Sequence, residues 1–226
     1  TTGSSNNCTP PHGFNDFRFK DYAPGAFRYF RTCFGIDTKD FSHSLCDKAM
    51  KELSQSGASG SLFYKSYDDV YVVKTVDERE AKFLQSLLVG YYMNLAQNKN
   101  TLLPKFFGLY LYSSRSQHFR FVVMNNLIPS YLKLDETYDI KGSTFKRRAK
   151  VKNDINSFPL FKDLDFLDRH RDVILFISNF KGLVLDPQYY GLIISTIERD
   201  TRVLSSFKIM DYSLLIGIHN ISAHVL

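Results

Sequence analysis

The stretch 55-QSGASGSLFYKSYDDVYVVKTV-76 joins a small-residue turn to two β-prone runs, the second of which sets Lys74 among valines. No standard phosphate-loop formula fits it. A Walker A loop requires Gly, four residues and then Gly-Lys-Ser/Thr, which the stretch lacks. A G-x-G-x-x-G count from Gly57 meets Ser59 and Leu62 at the other glycine positions. Gly60 directly follows Ser59, where a nucleophile elbow needs one more residue. The turn therefore reads in one of two ways. It is a flexible hairpin, or it is a loop in which Gly57, Ala58, Ser59, Gly60 and Ser61 leave backbone N–H groups free to approach phosphate oxygens. Period-2 alternation puts Val72, Lys74 and Val76 on one strand face. A lysine there can reach nucleotide phosphates beneath the turn, with Val72 against the adenine. The alternative is an edge-strand charge that guards against aggregation.

Working outward, the next segment, "DEREAKFLQSLLVG", returns to helical period. Ala81, Leu84, Leu87 and Leu88 share a face and Gly90 is read as the stop. Glu80 on this helix can pair with Lys74, although an exposed glutamate is equally ordinary. Upstream, "DYAPGAFRYFRTCFGI" predicts a short amphipathic helix with Asp21 as N-cap, Pro24 in the first turn and Phe27, Phe30 and Phe34 at helical spacing. Downstream, "FFGLYLY" and "FRFVVM" read as a strand pair about the turn "SSRSQH", and "TYDIKGSTF" as a further short strand. Residues 188–207 read as a helix with Leu192, Ile193, Ile197, Val203 and Leu204 as its buried stripe. Sheet dominates the first 145 or so positions and helix gains afterwards. The expectation is an α+β chain with a β-rich first lobe, preceded by a disordered leader over residues 1–13 and without internal repeats.

A chain of 226 residues can fold as one domain or as two lobes. No run reaches the roughly 18 apolar residues of a membrane span, and the polar start has no signal-peptide core. The chain does not begin with methionine and reads as a fragment or a processed product. Three cysteines without C-x-x-C spacing argue against a disulfide framework or zinc site, and fit a reducing, cytosolic setting. The net charge of +6 suits phosphate-rich partners: nucleic acid, nucleotide or anionic membrane.

Two further features bear on chemistry. Asp211 lies between the apolar runs "FKIM" and "YSLLIGI". It must be desolvated at a cost, find a partner or cleft, or serve as a turn or capping residue. The run "KGSTFKRRAKVK" clusters Lys146, Arg147, Arg148 and Lys150, as a solvated face or as a contact for an anionic surface. Glycine-rich turn, strand lysine, helix glutamate, strand pair and late aspartate follow the order of protein-kinase parts. No H-R-D precedes Asp211, however, and Ile216 stands where the catalytic-loop Asn would fall, so an ordinary protein kinase does not fit.

Taken together, "GASGSLFY", "VVKT", "YYMNL", "TLLPKFFGLY", "VVMNN", "YDIKGST-KRR", "FKDLDFL" and "SFKIMDYSLL-GIHN" occur in the order of the phosphatidylinositol phosphate kinases, which the chain resembles from about residue 17 to 221. "GASGSLFY" and "KGSTFKRR" resemble the type I branch, which makes phosphatidylinositol 4,5-bisphosphate from the 4-phosphate. The resemblance implies a two-lobed, flattened relative of the protein-kinase fold, with the kinase domain over residues 14–226. It implies ATP and Mg²⁺ as cofactors and Lys74 and Asp211 as catalytic residues. Lys74 would hold ATP phosphates, Lys141 would be a second lysine directed at the nucleotide, and Asp211 would orient the inositol hydroxyl. Met124 and Asn125 would lie beside adenine at the hinge. The basic run would meet phosphoinositide headgroups at the cytoplasmic face of the plasma membrane. A homodimer is compatible with the family; a nucleic-acid partner is not expected.

Two departures accompany the resemblance. The family carries a further metal-binding aspartate in a downstream Ile-Ile-Asp motif, followed by a lipid-selecting loop, and the chain reads as ending before both. Residues 169–181 exceed the family pattern. They read as an extra strand or a non-homologous, aggregation-prone piece. The alternatives to a lipid kinase are a catalytically incomplete fragment that binds nucleotide and anionic membrane, and a serine/threonine protein kinase.

Overall fold

The computed structural model describes residues 15–53, 60–115, 117–149, 160–169 and 183–221. The expected leader at 1–13 falls outside these residues, as does the excess at 169–181 apart from Arg169, which ends a helix. The chain divides into two compact units, the first over 1–99 and 103–129, the second over 100–102 and 130–226. Both mix helix and strand, so the α+β expectation holds.

The first unit begins with β1 (Phe17–Asp21), α1 (Pro24–Cys33) and α2 (Thr38–Cys46). β2 (Lys51–Leu53), β3 (Phe63–Lys65) and β4 (Tyr71–Val76) follow, then α3 (Glu78–Gln97), β5 (Phe106–Ser114) and β6 (His118–Asn125). The strands make one antiparallel sheet in the order β1-β5-β6-β4-β3-β2. β4 is therefore an interior strand, which removes the edge-strand reading of Lys74. Apolar residues leave the sheet on both sides. Leu109 and Val122 pack with Phe27, Phe30, Ala81, Leu88, Tyr91 and Leu95 of α1 and α3. Tyr71, Val73, Phe107 and Val123 pack with Phe41 of α2.

Three local expectations are corrected here. Asp21 is not an N-cap. It ends β1, and α1 starts at Pro24 after Ala23 in the left-handed region, because Pro24 pre-sets the helical φ without a side-chain cap. Asp37 caps the unanticipated α2 instead, accepting from the Lys39 N–H at 2.7 Å. Gly90 does not stop α3, which runs on to Gln97. Beyond it, Tyr91 and Leu95 are buried, and burying one such side chain contributes about 1.5–3 kcal/mol against about 1 kcal/mol for a mid-helix glycine.

The second unit contains β7 (Glu136–Ile140), β8 (Leu160–Lys162), α4 (Asp163–Arg169), α5 (Pro187–Ser206) and β9 (Leu214–Ile218). Its sheet has the order β8-β7-β9, with β7 parallel to β8 and antiparallel to β9. Tyr138 is fully buried at the centre, with Phe161 and Phe166 against its ring at 5.5 and 5.1 Å. α5 forms where expected, started by Asp186 and Pro187, but its buried residues are Thr196 and Asp200. Leu192 is exposed, while Ile193, Ile197, Val203 and Leu204 are half-buried. The polar residues are innermost because they have partners. The Asp200 carboxylate accepts from the Thr101 hydroxyl and the Leu102 N–H, both at 2.7 Å.

Candidate functional site

In the first unit the site is built at the junction of β4 and α3. Val72 and Lys74 of β4 lie opposite Met124 and Val122 of β6. Cross-strand partners share a face, so Lys74 projects on the side where Val122 meets α3. There its Nζ donates to Glu80 Oε1 at 2.9 Å, and the lysine side chain is largely buried. The glutamate's other oxygen accepts the Asp77 N–H at 3.0 Å, while Asp77 Oδ1 accepts the Glu80 N–H at 2.7 Å. That is a complete capping box. One carboxylate thus starts the helix and holds the lysine, so the ammonium is aimed by the helix terminus rather than by its own flexible stem. Glu80 is thus a partly exposed glutamate with two partners, the Lys74 ammonium and the Asp77 N–H.

The remaining first-unit expectations divide. Gly57, Ala58 and Ser59 lie outside the described residues. Gly60 has φ +70°, a left-handed conformation that glycine adopts without penalty, and Ser61 is buried. Thr75 closes this end of the hairpin. Its N–H donates to Leu62 O at 2.9 Å, and its hydroxyl accepts from the Leu62 N–H at 2.8 Å. Val72 and Met124 stand side by side, half-buried, as an adenine-flanking pair would. Asn125 differs in kind. Its N–H donates to Lys105 O at 3.1 Å and its side-chain oxygen accepts the Lys105 N–H at 2.8 Å, so both groups serve the strand end.

In the second unit, the β7–β9 register brings two candidates to one end of the sheet. Ile140 pairs with Leu214. Lys141 follows the one and Asp211 lies three residues before the other. Asp211 is exposed, not desolvated, with φ +60°. Its apolar neighbours in sequence, Met210 and Tyr212, are themselves exposed, so the flanking hydrophobicity did not imply burial. Aspartate is among the residues that tolerate the left-handed region.

The basic run is also revised. Arg147 does not face outward. Its side chain is 12% exposed, with Nε donating to Asp163 Oδ2 at 2.7 Å and Nη2 to Asp139 Oδ2 at 2.8 Å, and also to the Asp139 carbonyl. Two buried or half-buried carboxylates draw it in, because a lone charge could not remain there. Arg148 pairs with Asp168 at 2.7 Å at the surface, Lys146 is exposed above the Phe145 ring, and Lys150 lies outside the described residues.

Asp163 was missed by motif reading. It opens α4 within "FKDLDFL", is 6% exposed, and its Oδ1 accepts the N–H groups of Lys141, Gly142 and Ser143 at 3.0, 2.8 and 3.3 Å. The usable signal was an aspartate directly after the short strand "LFK". Burial pushes its carboxyl up, but the bonds from Arg147, Gly142 and Lys141 outweigh burial and hold it below the usual aspartate range. Asp139 behaves likewise: burial raises it, and hydrogen bonds from Ser213 and Arg147 bring it lower.

Among the described residues no three His, Cys, Asp or Glu side chains cluster as metal ligands. Asp139 and Asp163 are engaged by Arg147, so these residues do not by themselves fit a resident magnesium site. Nor is any described helix long and apolar enough to cross a membrane. A β-rich unit holding a strand lysine on a helix glutamate, followed by a unit bearing a second lysine and an aspartate, defines a kinase-like chain.

Comparison with known proteins specifies the kind. The family model Phosphatidylinositol-4-phosphate 5-Kinase matches residues 44–225, and the chain belongs to that family. It is 56% identical over 214 residues to phosphatidylinositol 4-phosphate 5-kinase type-1 alpha of Rattus norvegicus, covering 95% of this chain and 38% of that protein. Against the type-1 beta protein of Homo sapiens the identity is 55% over 214 residues, covering 94% and 38%. Against that of Gallus gallus it is 54% over 220 residues, covering 97% and 39%. The chain thus spans well under half the length of these relatives.

Proposed function

We propose that the protein to which this chain belongs transfers the γ-phosphoryl group of ATP to the 5-hydroxyl of phosphatidylinositol 4-phosphate, at an anionic membrane surface. The observation that carries the nucleotide half is the Lys74–Glu80 pair at 2.9 Å, fixed by the capping box at the start of α3. The substrate half rests on the family and on the names of the relatives.

In this reading the backbone of Gly57–Ser61 covers the phosphates, Lys74 holds them, and Val72 and Met124 flank the adenine. Asn125 shapes the hinge, and Lys141 offers a second cation to the nucleotide. Asp211, exposed at the end of the β7–β9 ladder, receives the proton of the inositol hydroxyl as its oxygen bonds to phosphorus. The bond from the γ-phosphorus to the bridging oxygen breaks and ADP leaves. Such chemistry is mostly positioning and charge neutralisation. Lys146 and Arg148, with Lys150, face the headgroups, each near-surface cation being favoured by the negative surface potential. Arg147 is reassigned from that surface to internal support.

The test is transfer of labelled phosphate to phosphatidylinositol 4-phosphate vesicles by the whole protein. Lys74→Ala and Asp211→Ala each lower the rate on the order of 10²–10³-fold, as removal of one transition-state contact does. Unlabelled lipid with the parent protein, or equal labelling by both variants and the parent, overturns the proposal. The absence of a metal-ligand cluster among the described residues favours a second reading for the 226-residue chain by itself, nucleotide and membrane binding without turnover. Vesicle co-sedimentation with no labelling by this chain is its signature, and labelling rejects it.

A further inference from the structure

The most connected polar cluster outside the Lys74 junction is Asp139–Arg147–Asp163, and none of its members has yet been given a part in the reaction. Its geometry is directional. Three successive backbone N–H groups, those of Lys141, Gly142 and Ser143, converge on the single oxygen Asp163 Oδ1 at 3.0, 2.8 and 3.3 Å. Gly142 has φ +72°, and this left-handed turn lets the run of N–H groups curve around one acceptor. Such concave runs bind anions, and here the protein's own carboxylate occupies the concavity. The 141–143 backbone is therefore not a free phosphate cradle.

The other Asp163 oxygen accepts Arg147 Nε at 2.7 Å. From the same guanidinium, Nη2 reaches Asp139 Oδ2 at 2.8 Å. The Asp139 carboxylate also accepts from the side chain of Ser213, two residues after Asp211. Arg147 itself is tied down by its carbonyl, which accepts the Leu164 N–H at 2.9 Å. A planar guanidinium with fixed donor directions can bridge two carboxylates at a set separation, which a lysine cannot. The chain positions joined this way are those flanking the end of the β7–β9 ladder.

We infer that Asp163 and Asp139, bridged by Arg147, are positioning residues that set the backbone of Lys141 and the approach to Asp211 for phosphoryl transfer. The inference rests on the proposed function, since it supposes that Lys141 and Asp211 act on nucleotide and hydroxyl. None of the three touches the reacting atoms. They act through the two residues that do, so their removal displaces those residues without deleting a functional group. Displacements of this sort lower rates by as much as about 10²-fold.

Two measurements test it. Amide hydrogen exchange on the 226-residue chain reads the cradle directly. In Asp163→Ala the amides of Lys141, Gly142 and Ser143 exchange about tenfold faster or more, as loss of bonds to a charged acceptor implies. Asp163→Asn keeps an acceptor oxygen and recovers part of that protection, so it carries the test if the alanine variant does not fold. Unchanged exchange at the three amides in both variants overturns the inference.

The second measurement is a double-mutant cycle on the whole protein with phosphatidylinositol 4-phosphate vesicles and ATP. Asp163→Ala lowers kcat/KM by a smaller factor in a Lys141→Ala background than in the parent, because the part of its effect that runs through Lys141 is already lost and only the part through Asp211 remains. An equal loss in both backgrounds overturns the inference and makes Asp163 a merely structural residue. ATP titration of Lys141→Ala separates this from failure of the functional reading. If that variant binds ATP as the parent does, Lys141 has no nucleotide role and the proposed function loses that part, while amide exchange alone judges the cradle.

Discussion

The two candidate clusters, one in each unit, are held by different means. At the β4–α3 junction, Lys74 and Glu80 are six residues apart, and what aims them is mostly local: strand alternation, Asp77 and the helix start, on a strand held between β3 and β6. At the β7–β9 end, Lys141 and Asp211 are aimed by a guanidinium and two carboxylates that arrive from β7, the following loop and α4. A mostly local site needs only its strand in place and one turn of helix. A site built from long-range ion pairs exists only when the whole unit is folded, and it fails together when one charge is removed.

Removing Arg147 breaks that comparison most severely. Arg147→Met strands the Asp163 and Asp139 carboxylates in low-exposure positions, and costs about 3 kcal/mol, the low end for breaking a buried pair. Denaturant unfolding followed in the second unit reads this as a lowered midpoint. A shift no larger than that of an ordinary surface substitution would show that the network is dispensable.

Acid acts on the same groups more gently, since it neutralises the carboxylates instead of stranding them. Both aspartates are depressed in the folded state. Their contribution is therefore fully present above the ordinary aspartate value of about 3.9 and is lost as pH falls from there through their lower folded values. Thermal midpoints measured from pH 6 downward stay level until about pH 4 and then fall. Arg147→Met makes that acid limb shallower without abolishing it, because Arg147 is one cause of both depressions while the backbone bonds to Asp163 and the Ser213 bond to Asp139 remain.

The smallest effect separates the two duties of Glu80. Glu80→Gln keeps the capping box, for which Gln suffices, but removes the charge that holds Lys74. It leaves the stability of α3 nearly unchanged while weakening ATP binding. Glu80→Ala also loses the bond from the Asp77 N–H, the glutamate half of the box, at about 1 kcal/mol, while the Asp77 side chain still caps the residue-80 N–H. Equal loss of ATP affinity in both variants with equal stability would mean that the cap contributes nothing to aiming the lysine.

Much of the first unit was legible in the chain. The β3–β4 hairpin, the β5–β6 pair and α3 follow from alternation and helical period, and the edge-guard reading of Lys74 was removed by one tertiary fact, the pairing of β4 with both β3 and β6. Gly90 was misread because a stop signal of about 1 kcal/mol is weaker than the burial of Tyr91 and Leu95. The second unit was legible as motifs but not as contacts. "DIKGS", "KRR", "KDLDF" and "MDYSLL" stood out singly, yet nothing in their spacing indicated that Arg147 faces inward or that Asp163 caps the glycine turn. A charge pattern states which groups are present, while only folding states which charges meet.

By itself, then, the sequence determined what depends on neighbours along the chain: the strand carrying Lys74, the helix that Glu80 starts, and membership of a lipid-kinase family through its ordered motifs. Tertiary structure decided what depends on distance through space. It placed β4 inside the sheet and left Asp211 exposed, and it turned a basic residue of a supposed membrane run into the bridge between two aspartates. The division is physical. Propensity and capping act over a few residues, whereas the cost of burying charge depends on partners that the linear order keeps far apart.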